Sequence, residues 1–185
     1  MTHRLYYNPS GLKHNTGDGH PERIERLQTL IDLFDEMELN AICPDDIDFE
    51  QLCTVHPLSY VTTIQSAEPD RGFAYVDGDT ILSPHSWQAI EDAAALAIHA
   101  VNAVCSGEVK TAFCAGRPPG HHAEPAQAMG FCFINNIAVG AKHALSYDGI
   151  DRVAIVDFDV HHGNGTDTIA RRHDGLFYAS THQWP

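Results

Sequence analysis

Apolar positions along the chain follow two different periods. Short, nearly continuous apolar runs at Arg4–Tyr7, Thr111–Cys114, Val153–Phe158 and Leu176–Ser180 read as buried strands. Between them, Ile24, Leu27, Leu30, Ile31 and Phe34 recur at helical spacing, in a segment that opens near Pro21 and runs towards Glu38. Pro57 opens a second helix, to about Ala67, and Pro84–Cys105 contains the long helical run AIEDAAALAIHAVNAV. Ile134–Leu145 predicts a small-residue-rich helix in which Ala and Gly allow close packing, and Thr166–Arg172 predicts another. Asn8–Gly19, full of Asn, Gly, Pro and Asp, predicts an irregular surface turn. Strands that alternate with helices in this way predict an α/β fold, a parallel sheet flanked by helices on both faces. No repeat, low-complexity tract or linker interrupts the pattern, so residues 1–185 read as a single domain.

Composition narrows the picture. A chain of 185 residues buries roughly 70% of its unfolded surface, enough for one core. No run approaches the roughly 20 apolar residues of a membrane span, and MTHRLYYNPSG lacks the apolar centre of a signal peptide. Five cysteines (43, 53, 105, 114, 132) are odd in number and show no C-x-x-C spacing. They read as reduced, buried thiols of a cytoplasmic protein rather than a disulfide framework or a zinc knuckle. A net charge of −14 argues against a nucleic-acid surface. It suits cationic partners such as amines or lysine-rich segments, and solubility alone is the plainer reading.

Thirteen histidines are many for this length, and the chemistry concentrates in two motifs. RPPGHH supplies His121 and His122 in a loop too rich in Pro and Gly to be helical. IVDFDVHHGNG supplies Asp157, Asp159 and His161 at the end of an apolar run. Both follow predicted strands, and open parallel sheets bind ligands outside the carboxyl ends of their strands. Strand alternation would turn Asp157, Asp159 and His161 to one side, where Asp159 and His161 offer an oxygen and a nitrogen to one ion. A satisfied structural polar cluster is the alternative. Adjacent histidines cannot share one role; one fits a general base, with Asp157 orienting one ring and Asn164 the other. Gly163 and Gly165 would let the backbone fold tightly around a second, structural monovalent cation near Asp157, Asp159, His161 and Ser180. Simple turn formation explains them equally well. His3, His14, His56, His85, His99, His143 and His173 read as solvent-facing or capping residues.

RPPGHHAEPAQAMGFCFINN followed by VAIVDFDVHHGNGT resembles the histone deacetylase superfamily, of arginase/deacetylase fold, with class II and bacterial members the nearest in kind. HPERIERL and DTILSPHSW extend the resemblance over nearly the whole chain. It implies that Asp159 and His161 bind a catalytic Zn2+ (Fe2+ being the other metal to consider), and that His122 is the general base and later general acid. It implies too that Asp157 orients His121, while Asn164 stands as the partner of His122 where some members have aspartate. By the same resemblance Gly130 and Phe131 wall a channel for an acetyl-lysine stem, Arg23 lines an internal product cavity, and Asp79 anchors substrate backbone at the rim. The reaction implied is hydrolysis of an acetylated lysine or a similar acylated amine.

The sequence departs from the family at its end. Members carry a third metal ligand, an aspartate, and an oxyanion-stabilising tyrosine further along, and neither has a counterpart within 185 residues. The resemblance therefore implies the N-terminal portion of a deacetylase catalytic domain, truncated at the C-terminus. A shortened parallel sheet would expose an apolar edge and favour self-association. Two other readings stay open: an acetylpolyamine amidohydrolase, against which Val160 stands where those relatives carry Tyr, and a catalytically silent fragment or binding module. A ureohydrolase fits less well, because those enzymes use aspartate-rich two-metal motifs.

Overall fold

Leu5, Tyr6 and Tyr7 sit in β1 (His3–Tyr7), which has parallel neighbours on both sides. β2 (Ala41–Ile42) flanks one edge and β5 (Thr111–Ala115) the other, with Leu5 opposite Phe113 and Tyr7 opposite Ala115. The computed structural model describes residues 3–184. Alternation along these strands explains the layers. Leu5, Tyr7 and Ala115 pack against Leu27 and Phe34 of α1 (Ile24–Glu36). Tyr6 and Cys114 turn the other way, onto the backbone of α4 (Ser86–Cys105) at His99 and Leu96. Helices therefore lie on both faces of this sheet, as the sequence predicts for an α/β fold.

The main core lies beyond α4. Ile90, Ala94 and Ile98 pack with Phe133, Ile134, Ala138 and Val139, the last two from α5 (Asn136–Ala144). A Cβ on Gly140 would come within 2.9 Å of the Ala97 Cβ, so these two helices approach as closely as their small residues allow. α2 (Phe49–Leu52) and α3 (Leu58–Ser66) add Leu52, Val61 and Ile64 to the same cluster. β6 (Val153–Asp157) and β7 (Leu176–Ser180) form a separate parallel pair, linked by α6 (Asn164–Ala170). A small antiparallel hairpin joins β3 (Ala74–Tyr75) and β4 (Ile81–Leu82). Among the described residues no backbone ladder joins β5 to β6, so the strands form two parallel groups rather than one continuous sheet. No helix among them is long and apolar enough to cross a membrane.

Three expectations are corrected. Asn8–Gly19 is not a surface turn: Pro9–Leu12 makes a 3-10 turn, and Asn8, Ser10, His14 and Thr16 are buried. Polar residues are tolerated there because they are satisfied. Asn8 donates to the carbonyls of Ala89 (3.1 Å) and Arg117 (2.7 Å) and accepts from the Arg117 N–H (3.1 Å). His14 and His56 are buried too, not solvent-facing. His56 donates to the Pro125 carbonyl at 3.0 Å and accepts the Asn135 N–H at 2.9 Å. Of the five thiols, all free, only Cys132 is buried; Cys43 and Cys114 are exposed.

Candidate active site

Both motifs leave the carboxyl ends of strands, RPPGHH from β5 and DFDVHH from β6. The first loop is held at its two ends. At its start Arg117 is buried and forks onto Glu22, its Nη2 donating to Oε2 at 2.8 Å. At its end Asn135 caps α5, accepting the Ala138 N–H at 3.1 Å. The same Asn135 side chain donates to the Ala123 carbonyl (3.2 Å) and to Thr166 of α6 (3.1 Å). One buried amide thus ties the histidine loop to both helices beneath it.

β6 ends at Asp157, so strand alternation does not carry on to Asp159 and His161. Two successive carboxylate turns group them instead. The Asp159 N–H donates to Asp157 Oδ1 at 3.0 Å, and the His161 N–H donates to Asp159 Oδ1 at 2.7 Å. The expected grouping is present, but the device that makes it is a turn.

The tandem histidines face different partners. His121 Nδ1 lies 2.9 Å from Asp157 Oδ2, which also accepts the Tyr178 hydroxyl at 3.0 Å. Burial pushes the Asp157 carboxyl upward, yet its bonds from His121, the Asp159 amide and Tyr178 outweigh that and hold it below the usual range. Asp157 therefore stays an ionised anchor. His122 Nδ1 lies 2.7 Å from Asn164 Oδ1, and Asn164 Nδ2 donates to Glu124 at 2.8 Å. The Glu124 carboxylate can only accept, so the amide nitrogen faces it and the amide oxygen faces His122. His122 then carries its proton on Nδ1 and leaves Nε2 free to accept one. Burial, reinforced by His121 and His161, lowers the pKa of His122, against the opposing Asn164 bond. A neutral imidazole with one committed nitrogen is the form a general base requires.

The two ring systems stand in contact, with His121 and His122 centroids 4.0 Å apart and His161 6.0 Å from His122. Space for a side chain is absent at several glycines here, and a Cβ on Gly165 would strike the Ala123 carbonyl oxygen. A Cβ on Gly163 would strike Asp157 Oδ2, and one on Gly130, at φ 56°, would come within 2.5 Å of the His122 ring. Phe131 follows at φ 69°, its N–H donating to Thr80 Oγ1 at 3.1 Å. Its ring meets His20 edge-on at 4.9 Å, and His20 Nε2 reaches the Asp79 carbonyl at 3.0 Å. Gly130 thus lies against the His122 ring, and His20 links Phe131 to Asp79. Arg23 lies apart: its side chain is 62% exposed at the start of α1, near Glu25.

Asp159 and His161 offer one carboxylate oxygen and one imidazole nitrogen, 3.1 Å apart and open to solvent. Burial pushes the Asp159 carboxyl upward, but the His161 amide and the His121 and His161 rings outweigh it and hold the carboxyl low, so it is ionised as a ligand must be. Among the described residues no group of three His, Cys, Asp or Glu side chains could hold a metal ion. The donor chemistry fits two positions of a zinc sphere and leaves a third unfilled. Ser180 lies opposite Asp157 across the β6–β7 ladder, at the same end of the strand pair, and its hydroxyl meets His182 at 2.8 Å. Sequence reasoning missed Tyr178, Glu124, His20 and Thr80. Each acts through a partner distant in sequence, and no local pattern marks it.

A tandem-histidine loop and an Asp-x-His turn, brought together at the carboxyl ends of parallel strands, define a deacetylase-type site. Residues 20–185 match the histone deacetylase domain, and the chain belongs to that family. It is 41% identical to a histone deacetylase-like amidohydrolase of Pseudomonas aeruginosa, over 88% of this chain and 43% of that one. A probable deacetylase of Archaeoglobus fulgidus is 35% identical, over 100% of this chain and 52% of the relative. The crystal structure of the HDA15 HD domain superposes with a TM-score of 0.90 at 32% identity, covering 97% of this chain and 54% of the other. The chain spans about half the length of these relatives.

Proposed function

We propose that this chain carries the proton-transfer half of a metal-dependent amidohydrolase site that removes acetyl groups from acetyl-lysine. The observation that carries this reading is the His122–Asn164–Glu124 chain, which commits Nδ1 of a half-buried, neutral imidazole and frees its Nε2. His122 takes a proton from the attacking water and returns it to the departing amine nitrogen as the C–N bond breaks, giving acetate and free lysine. His121, held by ionised Asp157, lies beside it. Asp159 and His161 would hold Zn2+ or Fe2+ together with a third donor from outside the described residues. When bound, such an ion supplies Lewis acidity at the acyl carbonyl and lowers the pKa of water. Gly130 and Phe131 would flank the lysine stem, and the net charge of −14 favours a lysine-bearing partner.

The test grafts residues 20–185 in place of the matched segment of the Pseudomonas relative. The chimera should hydrolyse an acetyl-lysine peptide, and His122→Ala should slow it by about 10²–10⁴-fold. A chimera that melts cooperatively but is inactive, or one indifferent to His122→Ala, would sink the reading.

A further inference from the structure

The hydrogen-bond chain at His122 ends on a residue that the tandem-histidine motif does not predict. An amide has nearly the same shape at both ends, so Asn164 can meet His122 Nδ1 in two ways. With its oxygen inward it accepts from Nδ1–H, and Nε2 is bare. With its nitrogen inward it donates to a bare Nδ1, and the ring proton sits on Nε2, where it blocks proton uptake. Among the described residues Asn164 Oδ1 meets only His122, at 2.7 Å, so that oxygen by itself selects neither form. Asn164 Nδ2 meets two acceptors, Glu124 Oε1 at 2.8 Å and the Met129 sulfur at 3.4 Å. A thioether is a weak acceptor, whereas a bond to a carboxylate is roughly twice as strong as a neutral one. Turning the amide over would set two oxygens against each other at the Glu124 contact.

Glu124 stands on fixed backbone. The Ala123 carbonyl before it accepts from the buried Asn135 side chain at 3.2 Å, and the Pro125 carbonyl after it accepts from buried His56 at 3.0 Å. Its own N–H donates to the Gln127 carbonyl at 2.9 Å, and the proline that follows biases it towards extended backbone. Among the described residues no Lys or Arg competes for its carboxylate. We propose that Glu124 is a positioning residue: its carboxylate fixes the Asn164 amide with the oxygen towards His122 and so keeps the imidazole proton on Nδ1. A free histidine in water prefers the proton on Nε2, so the tautomer able to accept there is one the fold must impose. Glu124 touches no reacting atom and acts only through Asn164. Its effect on turnover rests on the deacetylase reading, while its effect on the tautomer does not.

The test replaces the carboxylate with an amide of the same shape. Imidazole nitrogen NMR shifts of the full chain at about pH 8, where an ordinary histidine is neutral, read the His122 tautomer directly. Loss of the signal in His122→Ala assigns it. The unaltered chain should carry the proton on Nδ1. Glu124→Gln, whose side chain can turn either end to Asn164, should move the proton mainly to Nε2. In an Asn164→Asp background both oxygens accept and no orientation needs selecting, so there Glu124→Gln should leave the proton on Nδ1. In the Pseudomonas chimera Glu124→Gln should lower kcat by about tenfold or more with KM within about twofold, and should cost nothing in the Asn164→Asp background. A tautomer unmoved by Glu124→Gln, or an equal effect in both backgrounds, overturns the proposal, because a purely structural role would not depend on residue 164. An inactive chimera in a protein whose tautomer follows residue 124 counts against the deacetylase reading and supports the positioning role.

Discussion

At the scale of single residues, the identity of one side chain sets the basicity of the proposed general base. Asn164 accepts from His122 Nδ1 at 2.7 Å as a neutral amide and so holds the imidazolium less strongly than a carboxylate would. Asn164→Asp would place a negative charge there, and an opposite charge at that distance raises an imidazole pKa by about one unit or more. His122 must be neutral to accept a proton, so the acidic limb of the pH–rate profile should move to higher pH. The profile of the chimera, together with the His122 titration by NMR, checks both halves of the argument; an unmoved limb removes it. The tandem histidines and the Asp-x-Asp-x-His run were legible in the sequence. Tyr178 and Glu124 were not, because their roles depend on partners 21 and 40 residues away.

At the scale of elements, the histidine loop owes its shape to a buried ion pair formed across the fold. Arg117 and Glu22 are both almost fully buried, with the guanidinium also bonded to the Gly11 carbonyl. Removing one partner leaves the other charge without compensation in a dry site, which costs about 3–5 kcal/mol. Arg117→Met should therefore lower the unfolding free energy by that amount in urea titrations. A loss below about 1 kcal/mol would show that the pair is not what holds the loop. Neither residue carries a local signature of this role. Glu22 was legible only as part of a helix start, and the helix in fact begins at Ile24, because Glu22 is drawn inward to meet Arg117. The long α4 and the strand at Leu176–Ser180 were legible because ten or more periodic positions, or a bounded apolar run, outweigh local noise. β2 and the β3–β4 hairpin, two residues per strand, offer no period to read.

At the scale of the whole molecule, buried histidines couple folding to acidity. Burial lowers His14 to about 3 and His56 to about 4. His14 is therefore neutral, and its 3.8 Å approach to Glu22 is not an ion pair. Unfolding returns both rings to an ordinary value near 6.5, so the unfolded chain binds more protons below that pH. The stability they allow is fully present above about pH 6.5 and is lost as pH falls towards 4. Glu91 works the other way. Burial, with Asp92 and Asp46 nearby, raises it to about 7, so acidification between about 7 and 4.5 favours the folded state. With two histidines against one carboxyl, urea midpoints should fall between pH 6.5 and 4, and Glu91→Gln should steepen that fall. A flat profile in both proteins would show that these groups titrate alike in the folded and unfolded chains.

The sequence alone determined the alternation of strands and helices, the family, and the residue types of the site. These are local or pairwise-periodic properties, written in runs of neighbouring residues. Tertiary structure alone decided which histidine pairs with which partner, that His14 and His56 are buried, and that Asp159 and His161 meet through turns. It also decided that Arg23 lies apart from the site and that the strands fall into two groups with an open seam between them. Those outcomes depend on hydrogen bonds and packing between segments far apart in the chain, where the cost of burying a polar group is offset only by a partner that the local sequence does not name.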